Sequence, residues 1–183
     1  MEIKEKFSIK TEVFDWLEAI CVSIVGVILV FSLLFRSTLV EGSSMLPTLV
    51  NLDRVIIVNP VISKVDQGDI VVVTQPNNIS QPLIKRVIAT EGQTIDINFS
   101  TGDVFVDGVL LEESYIREKI NEEPYNSVIF PFTVSEGCVF VMGDNRNESF
   151  DSRNAGIGEI DTRYIMGEAV FRIFPFDSFG FIE

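Results

Sequence analysis

Between Glu18 and Arg36 the chain reads AICVSIVGVILVFSLLF, residues 19–35, without one charge. Nothing else in the 183 residues limits the fold as strongly. A run of about 17 apolar residues is at the short end of what crosses hydrocarbon as a helix. Trp16 and Leu17 lengthen it, and Trp16 suits the interface. A cleaved leader would be shorter and would end in small residues, whereas LLFRS closes this run. A buried core helix on a globular surface keeps a polar face, and this segment has none. The expectation is an uncleaved transmembrane anchor over 19–36, a cytoplasmic tail over 1–18 and an extracytoplasmic domain over 37–183. Lys4, Lys6 and Lys10 precede the span and Arg36 and Arg54 follow it, an excess that favours a cytoplasmic N-terminus.

Beyond the anchor the sequence reads as β structure. RVIIVN, DIVVVT, LIKRVIAT, TIDIN, DVFVDG, CVFVM and EAVFRIF are short, rich in Val, Ile and Phe, and separated by Gly, Pro, Asn and Asp. Helical periodicity is missing apart from a turn near residues 115–119. Residues 93–136 are more acidic and more loop-like than their flanks, which suggests an inserted β subdomain. Within it, residues 103–108 read as part of a hairpin with DG at the turn. The fold class expected is mainly β, with one N-terminal helix. Cys21 lies in the span and Cys138 outside it, so the two should not pair. Cys138, in GCVFVM, reads as a small core residue.

The chain contains no histidine. That removes Ser-His-Asp triads, Cys-His proteases and histidine metal sites at once. DNRNESFD fails as a calcium loop because Arg146 stands at its third position. No metal and no cofactor is expected. A net charge of −13 disfavours nucleic acid, whose phosphates it would repel.

PLIKRVIAT, residues 82–90, places two cations inside an aliphatic strand. Alternation puts Leu83, Lys85, Val87 and Ala89 on one face and Ile84, Arg86 and Ile88 on the other. A lysine dried by such neighbours can lose its proton near neutral pH and act as a general base where histidine is absent. The strand alone equally permits a lysine that snorkels to the sheet edge. GSSMLPTL, residues 42–49, offers a serine between Gly42 and Pro47, a fixed loop able to present a hydroxyl and backbone N–H groups. By itself it is only a turn. GDNRNESFDSR, residues 143–153, is dense in hydrogen-bonding groups and follows the strand CVFVM; it fits an exposed loop or a polar lattice around a buried amine. The spacing of Asp151 and Arg153 allows a structural pair.

Together these stretches resemble type I signal peptidases of the single-span, Gram-positive-like form. VEGSSMLPTL resembles the family's nucleophile box, which implies that Ser44 is catalytic. IKRVIATEG resembles its lysine box, with Lys85 as the base, and EGCVFVMGDNRNESFDSR resembles its last box. There the resemblance implies that Ser149 orients the lysine, that Asp151 pairs with Arg153, and that Arg86 pairs with Asp144. QGDIVVV resembles a box lying beside the substrate, implicating Asp69, Ile70, Val71, Val72 and Val73. Gly42 stands where two-span relatives carry an oxyanion-binding serine, so the oxyanion would rely on backbone N–H groups, Ser44's own among them. The implied partners are secretory precursors carrying signal peptides cut after small residues of the Ala-X-Ala kind, together with the lipid bilayer.

Two rivals remain at this level. LexA-like self-cleaving regulators share Ser-Lys chemistry and the core fold, but they cut at Ala-Gly or Cys-Gly upstream of the serine. Here the only such pair is Ala155-Gly156, downstream of Ser44. A non-catalytic, membrane-tethered assembly factor is free to lose either member of the dyad, and this chain retains both. The C-terminal VFRIFPFDSFGFI suggests a last core strand at Phe171 and Phe174, with Phe176, Phe179 and Phe181 as candidates for contact with lipid.

Overall fold

The computed structural model describes residues 9–60, 64–74 and 82–182. Residues 1–8 of the expected tail, with Lys4 and Lys6, lie outside them. The chain divides into two compact units after Phe35.

The first unit is one helix, α1, Ile9–Leu34, of 26 residues. At 1.5 Å per residue it is about 39 Å long, enough to cross a bilayer by length and composition. None of its described side chains is buried, and Trp16 is 70% exposed. Its two serines satisfy themselves: Ser23 Oγ donates to Ala19 O and Ser32 Oγ to Ile28 O, both at 2.7 Å. The helix ends before the expected anchor does, because Phe35 already begins a strand.

The second unit holds two antiparallel sheets. The larger contains β1 (Phe35–Leu39), β2 (Arg54–Val58), β3 (Ile70–Val73) and β4 (Leu83–Thr90). It also takes in β9 (Cys138–Met142), β10 (Ile160–Asp161), β11 (Ile165–Phe174) and β12 (Gly180–Phe181), because β5 to β8 lie elsewhere. Its order is β1-β2-β11-β3-β4-β9-β10, with β12 on β11. The length of β11 lets its first half pair with β3 and its second half with β2, so one strand bends across the sheet. β3 is buried at every position and paired on both edges. The smaller sheet, β7-β6-β5-β8, comes from β5 (Thr94–Asn98), β6 (Asp103–Val106), β7 (Val109–Leu110) and β8 (Phe132–Thr133). Its β6–β7 hairpin turns through Asp107 and Gly108 at φ 52° and 77°, left-handed values that Asp-Gly tolerates.

Ile95, Ile97, Val104 and Val106 of the smaller sheet pack on Ile88, Phe140 and Met142 of the larger one. That packing depends on a break in β4. Register slips between Val87 and Ala89, so both Ile88 and Ala89 reach this core. Strict alternation, which would keep Ala89 on the Lys85 face, therefore fails at the bulge. Before it the alternation holds: Leu83 and Val87 join one apolar cluster with Val71, while Ile84 joins another with Val40, Met45 and Val72.

Candidate active site

Ser44 lies in a turn that follows β1, held by a short ladder in which Leu46 N–H donates to Ser43 O and Leu49 N–H to Met45 O. Burial of Met45 and Leu49 in the core pins this turn from beneath. A second chain segment pins it from the side. Asn145 N–H donates to Ser44 O at 3.0 Å, and Asn145 Nδ2 donates to Ser43 O at 3.1 Å. The N–H of Gly42 is taken by Asn51 Oδ1 at 2.9 Å, whereas that of Ser44 makes no hydrogen bond among the described residues. Ser43 Oγ is 3.4 Å from Glu148 Oε2.

Lys85 extends from β4 into the same place. Its Nζ lies 2.7 Å from Ser44 Oγ and donates to Ile84 O at 2.9 Å. The residue is 3% exposed. Burial, which disfavours the ammonium, pushes its pKa down to about 8, against the opposing pull of the Asp151 and Asp144 carboxylates. In the neutral form one N–H serves Ile84 O and the lone pair is left for the serine proton.

Ion pairs surround the amine. Arg86 grips Asp144 with two bonds of 2.9 and 2.8 Å and gives a third to Gly68 O. Thr48 Oγ1 also donates to Asp144, which ties the Ser44 turn to the pair. Arg153 holds Asp151 from both Nε and Nη2, and Asp151 accepts the Gly143 N–H. Burial alone would raise the Asp151 pKa; Arg153, with the Ser149 hydroxyl and the Gly143 N–H, outweighs it and holds the carboxyl below its usual range. Gly143 is the point of closest approach. A Cβ there would run into Ser149 Oγ and the backbone oxygen of Ser44.

The structure thus brings Ser44, Lys85, Arg86, Asp144, Asp151 and Arg153 together. Ser149 is adjacent, its buried Oγ beside Gly143 and its hydroxyl among the groups that lower the Asp151 pKa, while the backbone partner of the amine is Ile84 O. Of residues 69–73, only Val72 lines the cleft beside Ser44, because β3 is interior to the sheet. Asp69 turns away to accept the Asp66 N–H. That cleft, about 310 Å³, runs between residues 38–45 and residues 82–85. Sequence reasoning missed Asn145, Thr48, Arg146, Glu113 and Tyr115. A motif of polar residues marks a loop without saying which members face inward. No cluster of His, Cys, Asp and Glu able to hold a metal occurs among the described residues.

The model of the signal peptidase family, peptidase S26, matches residues 13–174. A signal peptidase I of Bacillus licheniformis is 35% identical over 177 residues, 92% of each chain. Signal peptidase I S of Bacillus subtilis is 32% identical over 182 residues, covering 95% of this chain and 96% of the relative. A solved signal peptidase I structure from Enterococcus faecalis is 29% identical and covers 58% of this chain and 97% of that one, with a TM-score of 0.47. With the family model spanning most of the chain and relatives matched nearly end to end, the chain belongs to the signal peptidase family, peptidase S26.

Proposed function

We propose that this membrane-anchored peptidase removes signal peptides with a Ser44–Lys85 dyad. The observation that carries the reading is a buried lysine nitrogen 2.7 Å from a serine oxygen. Neutral Lys85 takes the Ser44 proton as Oγ bonds to the scissile carbonyl carbon. The electron pair of that carbonyl moves onto oxygen, where the unengaged Ser44 N–H donates to it. Collapse breaks the C–N bond, and the ammonium of Lys85 returns its proton to the leaving amine. Water then gives a proton to Lys85 as its oxygen attacks the ester carbon; collapse breaks the C–O bond to Ser44, and the ammonium of Lys85 returns its proton to Ser44 Oγ.

The precursor lies extended in the cleft between residues 38–45 and 82–85, its small residues before the cut facing Val72 and Ile84. Anchor and precursor share one bilayer, which raises their effective concentration without new contacts. The lysines ahead of α1 favour an N-terminus in the cytoplasm and a catalytic domain on the outer face. Asp151 and Arg153 keep the loop behind Lys85 rigid.

Processing of an Ala-X-Ala precursor in proteoliposomes tests the reading. Ser44→Ala and Lys85→Ala should each lose activity by about a thousandfold or more. Cleavage retained in either variant refutes it.

A further inference from the structure

Ser44–Lys85 chemistry leaves one buried cluster without a task. Glu113 and Tyr115 belong to the connection between β7 and β8, far along the chain from the catalytic motifs. The Glu113 side chain is nonetheless 8% exposed, and its Oε1 lies 2.6 Å from Nη1 of Arg146, whose side chain is fully buried. The Tyr115 ring lies 4.0 Å from the Arg86 guanidinium carbon and 5.8 Å from that of Arg146. Its hydroxyl donates to Glu113 Oε1.

Burying a carboxylate is unfavourable by several kcal/mol unless partners offset it. Anchoring the smaller sheet does not require this, since the Ile95, Ile97 and Val104 core already does so. What the cluster adds is a hold on two arginines that lead to the two reacting side chains. Arg86 neighbours Lys85 in β4 and grips Asp144. Arg146 Nε donates to Gly143 O at 3.0 Å, and Gly143 abuts Ser44 O. The Arg146 carbonyl in turn accepts from Arg153 at 2.6 Å. Charge follows the same pattern. Arg86, Arg146 and Arg153 are matched by Asp144, Glu113 and Asp151, so the third anion of this lattice comes from the smaller sheet's connection.

We infer that Glu113 and Tyr115 are positioning residues: through Arg146 and Arg86 they clamp the 143–153 loop against the nucleophile turn and fix the approach of Lys85 to Ser44. The inference rests on the Ser-Lys reading. The ring face of Tyr115, rather than its hydroxyl, touches Arg86, which separates two substitutions.

Full-length enzyme in proteoliposomes, assayed on a precursor below the unfolding temperature of every variant, gives the test. Tyr115→Phe should keep kcat within about twofold of wild type. Tyr115→Leu and Glu113→Gln should lower kcat by about tenfold to a hundredfold while KM changes by less than about threefold. Folded Tyr115→Leu enzyme with wild-type kcat overturns the inference, as does a loss confined to KM or an equal loss in Tyr115→Phe. If Glu113→Gln does not fold, the Tyr115 pair decides alone. Ser44→Ala is run beside them: its inactivity upholds the dyad whatever Tyr115 does, and its activity removes both readings.

Discussion

Lys85 meets opposing demands from stability and chemistry. Its pKa in the folded chain is about 8, against 10.5 for an ordinary lysine. Between those values the unfolded chain binds the extra proton, so stability rises with pH across that window. Below about pH 8 the penalty is fully present, on the order of 3 kcal/mol at ~1.4 kcal/mol per pH unit. Lys85→Met should therefore stabilise the fold at pH 7 by about 1–3 kcal/mol and flatten the rise between pH 8 and 10.5. Urea unfolding at pH 7 and pH 10 measures this; a variant no more stable than wild type at pH 7 contradicts it. Lys85 was legible in the sequence because a cation stood in an aliphatic strand of a chain without histidine. Glu113 and Tyr115 were not, since LEESYIREK has the composition of a solvated loop. Arg86 and Arg146, distant in sequence, help make their burial tolerable.

Among the elements, strands of four residues or more, β1 apart, announced themselves through Val and Ile content, as β2, β3, β4 and β9 did. β1 was hidden because its Phe35 continues the apolar run of α1, and composition does not mark where a helix stops and a strand begins. The two-residue strands β8 and β10 exist through pairing partners remote in sequence, with no local pattern to betray them. The β4 bulge is likewise set by its neighbour β9. Where two loops meet, geometry leaves no slack. Gly143→Ala should force the 143–153 loop away from Ser44, because the added methyl meets Ser149 Oγ and Ser44 O. A misplacement near 1 Å costs about a hundredfold in rate, and kcat of the folded variant should fall by about that factor. Thermal unfolding followed by steady-state kinetics checks it, and a folded variant with kcat within about threefold of wild type is the opposite result.

At the scale of the whole molecule, a long apolar helix precedes a domain whose buried charges concentrate in one lattice. Three guanidiniums face three carboxylates there, and the balance closes when Lys85 carries no proton. That neutrality is the central claim, and the pH dependence of kcat/KM in the full-length enzyme tests it most directly. Since the free enzyme must hold Lys85 as an amine, kcat/KM should rise tenfold per pH unit on the acid side and level off through a midpoint near pH 8. A profile flat from pH 6 to pH 9, or a midpoint near that of an ordinary lysine at 10.5, would contradict it.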